Sequence, residues 1–214
     1  MVQWRLRDGC MMQLQFDSFP VLGDSCLFPS VPAVQIFRAP TDNDKSFGNW
    51  LAKDWQNNRL DAPDYDTRPL KWRQLSDGTI QVTSGCTVRC LFGSIVTELL
   101  YTITGDGQLE IEAVFRPEGV LPELPRLGIV LPIRSGLDHF TWYGRGPWEN
   151  YPDRKTSCFV GLWSGKVSEQ YTHYPRPQDS GNKEDVRFLE LTDDYGKGIR
   201  VEAVGKTFSA SALH

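Results

Sequence analysis

The chain has 214 residues, 40% hydrophobic and 23% charged, with 27 acidic against 23 basic side chains and a formal charge of −4. That composition belongs to a globular protein long enough to bury a core, and it excludes an intrinsically disordered chain. The absence of any Lys/Arg run argues against nucleic acid as a partner, and no apolar run approaches the ~20 residues of a membrane span.

The first segment, MVQWRLRDGCMMQLQFD, lacks both an uninterrupted apolar core and a small-residue cleavage site, so it does not read as a signal peptide. A cytoplasmic location is expected, with the periplasm as the alternative. Cys10, Cys26, Cys86, Cys90 and Cys158 match no zinc or redox spacing and read as free, mostly buried thiols. One short helix is expected over 45–59, where Phe47, Trp50, Leu51 and Trp55 share a face opposite Lys53, Asp54, Asn57 and Asn58. Strands follow from about residue 75. Ser76-Asp77-Gly78, Gly105-Asp106-Gly107 and Tyr195-Gly196-Lys197-Gly198 mark chain reversals, the second joining strands at 95–104 and 108–116. Polar and apolar residues alternate over Gln108–Ala113. Leu127, Ile129, Leu131 and Ile133 share one face, with Pro132 marking an edge or bulge, and Ile199, Val201 and Ala203 repeat the alternation. The expected fold is an all-β antiparallel sandwich, with the Pro-rich stretches at 20–40 and 117–125 as connections within one domain. His139, His173 and His214 lie at no metal-binding spacing, so no metal is expected on this chain.

The stretch WYGRGPWENYPDR, residues 142–154, contains no aliphatic side chain and reads as an ordered loop. Trp142, Tyr143, Trp148 and Tyr151 beside Glu149, Asn150, Asp153 and Arg154 combine aromatic planes with polar groups, the two kinds of contact a sugar takes. The same residues also suit a scaffold, with buried aromatics and with carboxylates paired to Arg145 and Arg154. Scaffolding next to a site is the expectation. Glu149 and Asp153 stand four apart, a spacing that fixes no separation in a loop.

FRAPTDND at 37–44, WYGRGPWENYPDR at 142–154 and YPRPQDSGNKEDVRFL at 174–189 together resemble the C-terminal small-chain domain of the β-galactosidases of glycoside hydrolase family 2. The resemblance runs from about residue 31 to the end, and residues 1–30 fit it poorly as a first segment of the same domain. It implies a galactose-mutarotase-like β-supersandwich. It also implies hydrolysis of terminal non-reducing β-D-galactosides such as lactose by a retaining mechanism, which needs two carboxyl groups about 5 Å apart. In the family both lie on a (β/α)₈ barrel, and no such barrel is encoded here, so no catalytic residue is assigned and the chain alone is expected to be inactive.

The resemblance places the loop after Asp42-Asn43-Asp44 beside the galactose site, which singles out Asp44, Lys45, Ser46, Phe47 and Gly48. Ser46 stands where some members carry glycine. Asp42, Asn43 and Asp44 equally suit the cap of the helix that follows. Arg38 completes the first segment, and Arg176, Gln178, Asn182, Asp185 and Arg187 form the polar cluster of the third, read as a hydrogen-bonded loop that seats the domain on its neighbours. The family's domain continues beyond position 214, so the chain is expected to be incomplete at its C-terminal end and marginally stable. Implied partners are the catalytic barrel and remaining domains, in one chain or as a separate large subunit, a galactoside, and further copies in an oligomer. Mg²⁺ and Na⁺ are implied for the full enzyme only. Two other functions remain open: a stand-alone carbohydrate-binding module using Trp142 and Trp148, and an aldose mutarotase with His139 and His173 as candidate acids.

Overall fold

The computed structural model describes residues 2–7, 10–16, 19–20, 33–45 and 50–214. The chain divides into two compact units, Met1–Arg134 and Ser135–His214. The expected all-β antiparallel class is observed: every strand pairing among the described residues is antiparallel, and the helices are short.

In the first unit, β1 (Val2–Arg7), β2 (Cys10–Phe16) and β3 (Phe19–Pro20) form a meander. β4 (Ala33–Gln35) precedes α1 (Asp42–Lys45) and α2 (Leu51–Asn57). The main sheet holds β5 (Asp64–Thr67), β6 (Lys71–Gln74), β7 (Ile80–Arg89), β8 (Gly93–Ile103) and β9 (Leu109–Gly119). β10 (Gly128–Val130) returns to pair with β4. Strict alternation puts Val82, Cys86 and Val88 of β7 and Ile95, Leu99, Tyr101 and Ile103 of β8 on one face, where Trp55 of α2, Val34, Ile36 and Leu60 close the core. The indole N–H of Trp55 is satisfied by the Glu123 carbonyl at 2.8 Å, which lets the whole ring be buried. All three sequence-marked reversals in the described chain are hairpin turns, and β8 pairs with β9 around Gly105-Asp106-Gly107.

Of the helix expected over 45–59, the described residues hold α2, Leu51–Asn57, and α1 lies before it at Asp42–Lys45. α2 starts at Leu51; Trp50 is its N-cap and is exposed, because a capping residue is out of helical phase and need not share the helix's inward face. Phe47 lies outside the described residues. α2 ends in a Schellman turn: Leu60 N–H donates to Trp55 C=O at 3.0 Å and Arg59 N–H to Gln56 C=O at 2.9 Å, with Arg59 left-handed at φ 57° where glycine is usual. The expected strand through Ile133 stops at Val130, so Pro132 marks its end rather than a bulge within it.

The second unit is built on the order β12–β11–β14–β15, where β11 is His139–Gly146, β12 Phe159–Lys166, β14 Phe188–Thr192 and β15 Gly198–Glu202. β13 (Lys183–Val186) pairs separately with β16 (Phe208–Ala210), and Val167–Gln170 form a 3₁₀ turn after β12. The stretch beginning at Trp142 reads as a loop, yet its first five residues complete β11. Its alternation is hidden because two inward positions are glycines: Phe140 and Trp142 point in, followed by Gly144 and Gly146, which are silent in a hydrophobic pattern. Both glycines are required by close approach, since a Cβ on Gly146 would meet the Trp163 ring at 2.6 Å and one on Gly144 would meet Val186 Cα at 3.0 Å.

Candidate functional site

The 37–44 segment forms a clasp around one carboxylate. Asp44 Oδ2 accepts from Arg38 at 2.6 Å, from the Thr41 N–H at 2.7 Å and from the Thr41 hydroxyl at 2.8 Å. Burial of Asp44 opposes its charge, but the hydrogen bonds from Arg38 and Thr41 outweigh it and hold its pKa below the ordinary carboxylate range. The Arg38 guanidinium also lies 5.3 Å from the centre of the Trp55 ring. Asp44 thus caps α1 from inside, reaching back to the residue before it, while Asp42 and Asn43 are exposed. Lys45 is exposed at the end of α1, and Ser46, Phe47 and Gly48 fall outside the described residues.

The second and third sequence segments, far apart in the chain, meet in the second unit. Asn150, fully buried, is the junction: its side-chain amide donates to Trp148 C=O at 3.0 Å and to Arg145 C=O at 3.3 Å, and its Oδ1 accepts the Glu184 N–H at 2.8 Å. Its backbone N–H donates to Asn182 C=O and its own carbonyl accepts from the Asn182 amide, each at 2.8 Å. Glu149 Oε1 accepts from Arg154 at 2.5 Å and from the Tyr174 hydroxyl, while Oε2 accepts the Gly181 N–H at 2.8 Å. Pro152 and Asp153 form a tight turn closed by Arg154 N–H on Tyr151 C=O at 2.8 Å, which leaves Asp153 exposed. The buried Tyr151 donates its hydroxyl to Asp179 at 2.8 Å, and Arg154 covers its ring at 5.1 Å.

Alongside runs a charge cluster. Arg145 Nε bonds Asp185 Oδ2 at 2.5 Å and Lys155 bridges Glu184 and Asp185 at 3.2 Å each. The Arg145 hydrogen bond holds the Asp185 pKa down, and this anchoring keeps Asp185 at a left-handed φ of 54°. Arg187 donates to Asp185 C=O at 2.5 Å and stacks 5.4 Å from the Tyr143 ring. Gln178 is half-buried, whereas Arg176 is exposed and makes no hydrogen bond or ion pair with another described residue. Trp142 is buried against Phe140 with centroids 4.8 Å apart, so its ring is closed to a sugar; Trp148 is the exposed one. His139 bonds Asp194 at 2.8 Å on an exposed turn, and His173 packs edge-on against Tyr171.

Sequence reasoning missed Lys183, the least expected member. It is 2% exposed, with its ammonium 4.8 Å from the centre of the Trp142 ring and 3.3 Å from Pro147 C=O, and burial lowers its pKa to about 8. Tyr174, Asp179, Lys155 and Glu184 were missed as well. For Lys183 and Glu184 the only signal is their place between Asn182 and Val186 in a short β-like run, and such a charge run ordinarily marks a solvated face. Among the described residues no group of three His, Cys, Asp or Glu side chains is placed to hold a metal ion. No helix among them is long and apolar enough to cross a membrane.

Residues 2–214 match the family described as β-galactosidase small chain. The β-galactosidase of Priestia megaterium (strain DSM 319 / IMG 1521) is 37% identical over 78% of this chain and 16% of its own length. Those of Arthrobacter sp. (strain B7) and Lactobacillus delbrueckii subsp. bulgaricus are each 30% identical, over 80% and 86% of this chain and 18% of their own lengths. The chain therefore spans about a sixth of the length of these relatives.

Proposed function

Since this chain belongs to the β-galactosidase small-chain family, we propose that it acts as a non-catalytic domain of a β-galactosidase, supporting the catalytic barrel and shaping the galactose pocket. The complete enzyme would hydrolyse terminal non-reducing β-D-galactosides such as lactose with retention. Glu149 is the main support for the non-catalytic part. A retaining pair needs one carboxyl free to attack and another free to give and take a proton. Glu149 of the family-like loop, its side chain 9% exposed, has both oxygens committed to Arg154, Tyr174 and the Gly181 backbone. Asp153, its nearest carboxylate in sequence, faces out from a turn.

In this proposal the barrel and the other domains are the partners, in the same chain or as a separate large subunit. Mg²⁺ and Na⁺ belong to the complete enzyme, which is an oligomer in the cytoplasm. The loop after Asp44 reaches the galactose site, and the Arg38–Asp44 clasp fixes the root of that loop. Trp148, exposed in the 142–154 segment, offers the one specific point in favour of direct sugar binding.

The test is hydrolysis of a chromogenic β-galactoside by the purified chain. No turnover above background is expected. Turnover abolished by Glu149→Gln, in a variant that keeps the fold, would overturn the proposal, and galactose binding lost in Trp148→Ala would shift it to a binding module.

A further inference from the structure

Three hairpin turns of this protein carry the residues that turns demand. Asp77 accepts the Thr79 N–H at 2.9 Å beside Gly78, Asp106 accepts the Gln108 N–H at 3.4 Å beside Gly107, and Asp193 accepts the Tyr195 N–H at 3.0 Å beside Gly196. The turn between β7 and β8 does not. It closes with Cys90 N–H on Gly93 C=O at 2.8 Å around a two-residue loop of Leu91 and Phe92, neither with positive φ. Two-residue hairpin loops favour Asn, Asp and Gly at positive φ, so Leu-Phe is there for something other than turning.

Both side chains face water: Leu91 is 55% exposed and Phe92 59%, and Val120 beside them is 72% exposed. Their backbone is nevertheless held on both sides. Leu91 N–H donates to Asn58 C=O at 3.0 Å, and Val120 N–H donates to Phe92 C=O at 2.9 Å. That last contact needs Gly119, where a Cβ would stand 2.8 Å from the Phe92 oxygen. The result is an apolar knob on a pre-organised backbone, the form that binding anchors take because little backbone freedom is left to lose.

We infer that the Leu91–Phe92–Val120 knob is a docking anchor that fills an apolar pocket on the β-galactosidase polypeptide outside the small-chain domain. The inference rests on the function proposed above. A convex knob is a poor match for a second copy of itself, since two tips meeting bury little beyond the atoms that touch. The relatives carry more than four-fifths of their length outside the region matched here, which supplies a large permanent neighbour. Permanent interfaces are also the more apolar kind.

The experiment is a chimera in which this chain replaces the matched region of the 37%-identical relative, with and without the double change Leu91→Ser and Phe92→Asn. In the isolated chain the double change leaves the melting temperature unchanged or raises it, because the new residues suit a turn. In the chimera it shortens the half-life of β-galactosidase activity on heating by about tenfold or more, the scale of losing a binding anchor. A chimera equally active and durable with the double change overturns the anchor. Parallel destabilisation of the isolated chain also overturns it, by showing that the knob serves the domain's own fold. A dead unsubstituted chimera defeats the underlying proposal of function, and the anchor falls with it.

Discussion

The two units of this chain are held together by different physics. The first buries a continuous apolar cluster, with Trp55, Val34, Ile36, Val82, Val88, Ile95 and Leu99 in contact on one face of a sheet. The second buries Asn150, Asn182, Lys183 and Glu184 beside Phe140, Trp142 and Val186, and orders its loops by hydrogen bonds and ion pairs. Apolar burial is non-directional and tolerates adjustment, whereas a buried polar network holds only while every member keeps its partners. Loops that must present a fixed surface are better served by the second kind of order.

The contrast is open to attack by substitution. The largest effect is expected for Trp55→Ala, a cavity at the centre of the apolar core, at about 4 kcal/mol in denaturant unfolding, with protection of the β7 and β8 amides lost in hydrogen exchange. Asn150→Ala removes no comparable volume, yet it strands the buried Glu184 N–H and takes one of the donors from each of the Arg145 and Trp148 carbonyls, so about 2 kcal/mol is expected there. A loss well under 1 kcal/mol would mean that the second unit does not depend on its network.

Lys183 gives a pH signature. Its folded pKa of about 8 lies below the ordinary 10.5, so folding opposes its protonation. The penalty is fully present below pH 8 and fades as pH rises through 8 towards 10.5, a gain in stability of about 3 kcal/mol at most. Burial pushes Cys86 up to about 11 and also raises Tyr101, and these acids act in the opposite direction at high pH. The difference between the native chain and Lys183→Met isolates the lysine: the advantage of Met over Lys should shrink across that window, and a constant difference would show that the ammonium is not paying for burial. The smallest effect is a gain. Arg59→Gly relieves the left-handed residue that ends α2 and should stabilise the first unit by about 1 kcal/mol, read as a rise in the urea midpoint.

Much of the first unit was legible because its rules are local. Period-2 alternation gave β9, and Gly105-Asp106-Gly107 gave the turn that joins it to β8. The helix was misjudged by its phase: Trp50 fits helical spacing but caps α2 instead. The second unit was legible as segments and not as a network. Asn150 meets Glu184 across 34 positions, and nothing near either residue signals the pairing. The inward glycines of β11 hid a strand, and with it the geometry that buries Trp142, an aromatic for which composition favours core over sugar platform without deciding between them. Glu149, Tyr151 and Arg154 are tied by hydrogen bonds to one another or to Tyr174, Asp179 and Gly181, while Arg176 makes none to another described residue.

The most direct test of the central claim is complementation. The purified chain is mixed with a separately expressed β-galactosidase large chain that carries the barrel and lacks this domain, and hydrolysis of a chromogenic β-galactoside is followed in the mixture and in each component. Activity in the mixture alone is the predicted result. Hydrolysis by the small chain by itself would contradict the account, because it would put the catalytic carboxylates among residues that the structure commits to holding loops together.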